Sequence, residues 1–99
     1  MNYTSPRGAV AGAEVVKEIE AAGSKAALVQ ANVALVPDLN KLVQAALTLT
    51  TSGKIDILVH NAATGDDCYM EDMTEIFYQA QTDANLKGQV KSLMLLIKG

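Results

Sequence analysis

Apolar positions along this chain recur in two alternating rhythms. Over residues 8–22, Val10, Ala13, Val16, Ile19 and Ala22 fall at helical spacing, while Glu14, Lys17, Glu18 and Glu20 point elsewhere. This predicts a helix that stops at Gly23. Residues 25–31 are short and apolar around Leu28-Val29 and predict a strand, with Asn32-Val33-Ala34 as its exit. Pro37 and Asp38 suit a first helical turn. Proline's missing N–H has no helical partner there, and a carboxylate offsets the positive end of the dipole. Leu39, Leu42, Val43, Ala46 and Leu47 mark the buried face of that second helix. Thr48-Leu49-Thr50-Thr51-Ser52 is poor helix material, and Gly53 ends it. Residues 55–60 are a near-continuous apolar run and predict a strand buried on both faces, as in a parallel sheet between helical layers. A polar loop over residues 61–73 leads into one long helix, 74–97, striped by Ile76, Phe77, Ala80, Ala84, Val90, Met94 and Ile97. Gly88 interrupts it, at up to about 1 kcal/mol relative to Ala, and marks a bend or a close contact. Helices alternating with strands give an α/β fold of three helices and two or three strands.

Composition narrows the function classes. The chain has 99 residues, which bounds it to one small domain. A chain of that size buries about 60–65% of its unfolded surface, so its stability has little reserve. With no Trp and one Phe, the core must come from Val, Leu, Ile, Ala and Met. The net charge is −3 and no basic run exists, which argues against a nucleic-acid partner, because phosphate binding needs clustered cations. The opening residues lack the apolar core of a signal peptide. The late apolar run at 93–97 is far short of the roughly 20 residues of a membrane span. One cysteine, Cys68, can form no internal disulfide and suits a reducing, cytoplasmic setting.

Residue by residue, little here is self-sufficient chemistry. His60 is the one histidine and has no second ligand at metal spacing, so no metal site is expected. Asp66-Asp67 and Glu71-Asp72 read as solvated loop pairs, and nothing beside Cys68 would lower its pKa. Ser5, Ser24, Ser52 and Ser92 lack a nucleophile-elbow context.

Five stretches, taken in order, carry a likeness. They are Asn2-Tyr3-x-Ser5, Glu14-Val15-Val16-Lys17-Glu18-Ile19 with Gly23-x-Lys25-Ala26, Val29-Gln30-Ala31-Asn32-Val33, Ile55-Asp56-Ile57-Leu58-Val59-His60-Asn61-Ala62-Ala63, and Asn85-Leu86-Lys87-Gly88. Together the chain resembles the interior of the short-chain dehydrogenase/reductase family. The resemblance implies a partial Rossmann-like, doubly wound parallel sheet over residues 1–99, a partial NAD(P)-binding domain. In the family strand order, the first strand lies between the second and the fourth. No counterpart of that first strand or its glycine-rich loop is present in these residues. The strands at 25–31 and 55–60 must then either pair with each other or belong to a longer product.

The resemblance also assigns roles. Asn61, Ala62 and Ala63 correspond to the strand-end Asn-Asn-Ala-Gly motif beside the cofactor, with His60 in place of the first Asn and Ala63 in place of Gly. Asn85 corresponds to the helix Asn that supports the catalytic water and Lys. Asn32 and Val33 would flank the adenine, with Asn32 where Asp is usual. Asn2, Tyr3 and Ser5 would face the adenosine ribose. No carboxylate lies among residues 1–13, so the cofactor implied is NADP rather than NAD. The family's proton donor, a Tyr-x-x-x-Lys pair, is absent: Tyr3, Tyr69 and Tyr78 are followed four residues on by Arg7, Met73 and Thr82. The reading is thus an oxidoreductase segment acting on a small-molecule carbonyl or alcohol in full-length relatives and inactive alone. The alternative is a non-catalytic module that self-associates through the helix at 74–97.

Overall fold

Two short strands, α-helices and one long unpaired segment make up the molecule. The structure is a computed structural model that describes residues 1–98. Strand β1 is Asn2–Tyr3, helix α1 Gly8–Ala21, strand β2 Val29–Gln30 and helix α2 Val36–Leu49. A single 3-10 turn at Met70–Asp72 precedes α3, Glu75–Thr82, and α4, Gly88–Lys98, with a π turn at Asp83–Lys87 between them.

β1 and β2 pair in parallel, Asn2 opposite Val29 and Tyr3 opposite Gln30. The ladder extends a little further: Val29 N–H donates to Met1 C=O at 3.1 Å and Ala31 N–H to Tyr3 C=O at 2.9 Å. Helix α1 makes the crossover between them, the connection a parallel pair requires. Its inward face keeps Val16 and Ile19 of the periodic stripe and departs from the stripe in the first turns. Gly12 is buried and Val16 and Ile19 are half-buried, but Val10 is 72% exposed. The physical reason is Gly12. A side chain there would run into the Leu28 methyls, so the glycine draws that face of α1 down onto the sheet and turns Val10 outward. The helix ends at Gly23, whose φ of +90° lies in the left-handed region that favours glycine.

Helix α2 begins as its sequence indicated, with Pro37 and Asp38 in the first turn. Asp38 Oδ2 accepts the Asn32 N–H at 2.8 Å, and Asn32 Oδ1 accepts the Ala34 N–H at 3.0 Å, so the strand exit and the helix start fix each other. α2 packs against α4. The predicted long helix is present as one rod whose dihedrals stay helical throughout: Thr82, Asp83 and Gly88 all have φ between −74° and −59°. Its interruption lies at residues 83–87, just before the glycine, as a widened turn. Thr74 caps the rod by accepting the Phe77 N–H at 3.1 Å.

Residues 55–60 correct the sequence expectation. They belong to no strand, and among the described residues no main-chain hydrogen bond between backbone groups involves residues 51–68. They are also not buried on both faces: Ile57 is 81% exposed, Val59 76% and Leu58 41%. They do not pair with residues 25–31 either: the sheet among the described residues holds β1 and β2 alone. An apolar run sets a preference for burial, but a strand exists only where a neighbour supplies hydrogen bonds. None of the described residues lies in that position.

The resulting shape is open. The Cα radius of gyration is 15.5 Å, against about 13 Å for a compact domain of this length. The accessible surface is 7386 Å², about 2,000 Å² more than a compact monomer of 10.4 kDa would show. Only Ala31 and Leu39 form a fully buried hydrophobic core among the described residues.

Candidate functional site

The loop after residue 60 is held chiefly by Asn85, from far along the chain, with Gln81 Nε2 donating to Asp66 Oδ2 at 3.5 Å further on. Asn85 sits in the π turn, where the extra residue per turn aims it back at that loop. Its Oδ1 accepts the Thr64 N–H at 2.8 Å and its Nδ2 donates to the Thr64 C=O at 2.8 Å. An amide facing a main-chain amide in this way satisfies both groups and fixes the loop in two directions. The turn is braced by an ion pair between Lys87 and Asp83 at 2.9 Å. π turns of this kind are frequent at functional sites.

The next turn of the rod makes a second fixed contact. Gly88 is buried, and a Cβ placed on it would fall on the Val33 carbonyl oxygen. The helix backbone therefore rests directly on the exit of β2. Asn85 and Gly88, one turn apart on one helix face, thus tie the loop after residue 60 to the exit of β2.

Between these parts lies a cleft of about 410 Å³. Asn2, Val33, Asn61, Ala62 and Ala63 all line it, so the structure brings together five of the residues singled out in the sequence. Thr4, Gly88, Gln89 and Ser92 line it as well and were not singled out for the cleft by sequence. The signal for the last three was the helical spacing that follows Asn85. Asn2 is held by donating its Nδ2 hydrogen to Ala31 C=O at 3.1 Å. Four other candidates do not line the cleft: Asn85, which holds the loop beside it, and Tyr3, Ser5 and Asn32. Tyr3 packs over Gly8, and Ser5 is exposed with its C=O accepting the Gly8 N–H at 2.9 Å. Asn32 uses its Oδ1 within the turn described above. Tyr69 and Tyr78 are exposed, at 76% and 62%. No cluster of His, Cys, Asp or Glu that could hold a metal occurs among the described residues. No helix among them is long and apolar enough to cross a membrane.

The small side chains of Ala62 and Ala63 leave the main chain open to close approach by a flat ligand. Asn61, Asn2 and Thr4 offer uncharged hydrogen-bonding groups around it. The cleft can therefore bind and orient, and His60 is the one ionisable side chain that lines it.

Comparison with known proteins gives a consistent result. The family pattern described as short chain dehydrogenase matches residues 4–98. A short-chain dehydrogenase/reductase FrzI of Cladobotryum sp is 41% identical over 73 residues, covering 74% of this chain and 28% of that protein. An uncharacterised oxidoreductase of Methylorubrum extorquens is 38% identical over 89 residues, covering 89% of this chain and 34% of its own length. The chain thus spans about a third of these relatives. Among solved structures, a blue fluorescent protein from a metagenomic library, in complex with NADPH, superposes with a TM-score of 0.89 at 22% identity. That match covers 99% of this chain and 39% of the other, and it shows a shared fold.

Proposed function

Because the chain belongs to the short-chain dehydrogenase/reductase family, we propose that residues 1–99 form a partial NAD(P)-binding Rossmann-like domain. It is the middle of an NADP-dependent unit that interconverts a small-molecule carbonyl and a secondary alcohol. The observation that supports this best is the Asn85 clamp on Thr64. It joins the two stretches most alike to the family across 21 residues of sequence.

The residues present fit one wall of a nicotinamide cofactor. Ala62 and Ala63 allow close approach, and Asn2 and Thr4 offer uncharged groups where a 2′-phosphate would lie. They do not supply a diphosphate cradle, which calls for a glycine-rich turn at a helix N-terminus. No such turn lines the cleft among the described residues. The bound cofactor would exchange hydride with the carbonyl carbon. The proton for its oxygen has no donor here, since no Tyr is followed four residues on by Lys. Asn85 acts in this reading as the residue that orders the relay side of the site, through the loop it fixes. A cytoplasmic setting accords with the exposed free thiol of Cys68.

The expected result with NADPH and a panel of ketones is no oxidation above a denatured control. Measurable turnover would overturn the inactivity of the chain alone. In NMR titrations, millimolar NADPH is expected to shift the amides of residues 2–5 and 61–63 more than NADH does, and Asn85→Ala is expected to remove the effect. Equal shifts with NADH would sink the NADP assignment.

A second reading, self-association, rests on the outer face of α4. Val90, Leu93, Met94 and Ile97 recur at helical spacing and are 49%, 50%, 39% and 76% exposed. We expect light scattering to report dimers at tens of micromolar, and Leu93→Lys with Ile97→Lys to return them to monomers. A monomer at every accessible concentration would rule this reading out.

A further inference from the structure

The outer side of β2, away from β1, meets two charged side chains of α2 and no strand among the described residues. Val29 and Ala31 donate their N–H groups to β1. By alternation Gln30 and Asn32 turn their main-chain groups outward. Lys41 Nζ donates to the Gln30 C=O at 3.0 Å, and the Asn32 N–H donates to Asp38 Oδ2 at 2.8 Å. Asp38 and Lys41 lie at i and i+3 of α2, on one helix face. One supplies an acceptor and the other a donor, each matched to the main-chain group it meets. The strand carries no such protection of its own. Residues 26–32, Ala-Ala-Leu-Val-Gln-Ala-Asn, hold no charge and no proline. A segment of that kind at a sheet edge is prone to pair with another strand.

Folding stability does not call for the Lys41 contact. Lys41 is exposed, so water can replace its ammonium on the Gln30 carbonyl at little cost. Its effect on an incoming strand is larger. Such a strand must take the carbonyl from the ammonium and lay an uncharged backbone against it, with no counter-charge to offset the lost water. The bare edge fits a second copy of itself. Placed antiparallel about a two-fold axis, with Gln30 opposite Gln30, the two edges exchange both N–H···O=C bonds. No charge within residues 26–32 opposes that approach. We propose that Asp38 and Lys41 are a two-point guard that keeps β2 of one chain from pairing, antiparallel, with β2 of a second copy. The guard comes from the helix and not from the strand. The strand therefore keeps an apolar sequence for its packing, while its edge stays closed.

The proposal does not depend on cofactor binding, and its test is kept apart from self-association through α4. Every protein compared carries Leu93→Lys and Ile97→Lys, which remove that face. Lys41→Met keeps the apolar stem and loses the charge and the donors. In sedimentation equilibrium it is expected to associate at least tenfold more tightly than the protein with Lys41 intact, with the urea midpoint unchanged within error. Hydrogen exchange followed by NMR is expected to slow at the Gln30 amide by tenfold or more as chain concentration rises, and to stay constant at residues 90–97. Lys41→Arg, which keeps a charge and donors, should leave association as it was. Asp38→Asn added to Lys41→Met should tighten association further, because the remaining charge is gone while an acceptor for the Asn32 N–H stays. Gln30→Pro added to Lys41→Met removes an outward N–H and none of the main-chain bonds to β1, and should restore the monomer. A Lys41→Met protein that stays monomeric at every concentration would overturn the proposal. So would association without protection at Gln30, or association accompanied by a fall in the urea midpoint, which would mark unfolding as its cause.

Discussion

Leu39→Ala is expected to abolish cooperative unfolding of this chain. Leu39 is 2% exposed and, with Ala31, forms the fully buried hydrophobic core of the described residues. It also forms part of the floor of the cleft, joining α2 to the sheet and to residues 58–59. Removing a buried Leu to Ala costs about 2–5 kcal/mol. Ordinary domains hold about 5–15 kcal/mol, and a chain this open starts from the bottom of that range. The loss therefore consumes most or all of the margin. Circular dichroism during urea titration should show a sloping line in place of a sigmoid. The control is Val10→Ala. Sequence periodicity puts Val10 on the buried face of α1, but the structure leaves it 72% exposed. Its midpoint should match the parent within error. A Leu39→Ala midpoint close to the parent, or a large loss at Val10, would show that Leu39 is not the centre of the core.

Gly88→Ala is expected to cost 2 kcal/mol or more, read as a fall in urea midpoint with an unchanged slope. Two effects oppose each other. Alanine is a better helix former by about 1 kcal/mol, which favours the variant. Against it, the new Cβ would fall on the Val33 carbonyl oxygen. A main-chain oxygen at a strand exit cannot swing aside, so α4 must lift off the sheet and take Asn85 and its loop with it. Overpacking costs typically reach 1–3 kcal/mol, and a rigid neighbour puts this site at or above the top. The series gives a graded test. Gly12→Ala meets only the side chain of Leu28, whose methyls can rotate, so its cost should be smaller. Gly65→Ala meets nothing within 4 Å and should be neutral or slightly stabilising. Equal effects at Gly88 and Gly65 would show that the helix does not rest on Val33.

Several elements were legible in residues alone because local physics decides them. Gly23 follows the end of α1 in the left-handed region, at φ of +90°, whereas α2 stops at Leu49 with Thr50 already extended, inside the Thr-rich stretch and short of Gly53. Pro37 with Asp38 starts α2, and the stripe from Ile76 to Ile97 makes a single rod. The candidate site was legible in part. Asn61, Ala62, Ala63, Asn2 and Val33 meet at one cleft, and Asn85 reaches the same loop. Thr64 was not legible as the clamp's partner, because the widened turn that aims Asn85 has no local signature in its five residues. Nor was the inward turn of Gly12 in place of Val10 on α1, which follows from how near Gly12 lets Leu28 approach.

What the amino-acid order determined by itself was where the chain bends, where it coils and which residues prefer to leave water. These are short-range properties of each side chain and its immediate neighbours. What only the tertiary arrangement decided was the fate of residues 55–60. Their side chains ask to be a buried strand, but a strand's hydrogen bonds are made across space, between edges distant in sequence. Here β1 gives its bonded edge to β2, and Ile57 and Val59 stay in solvent beside an open cleft.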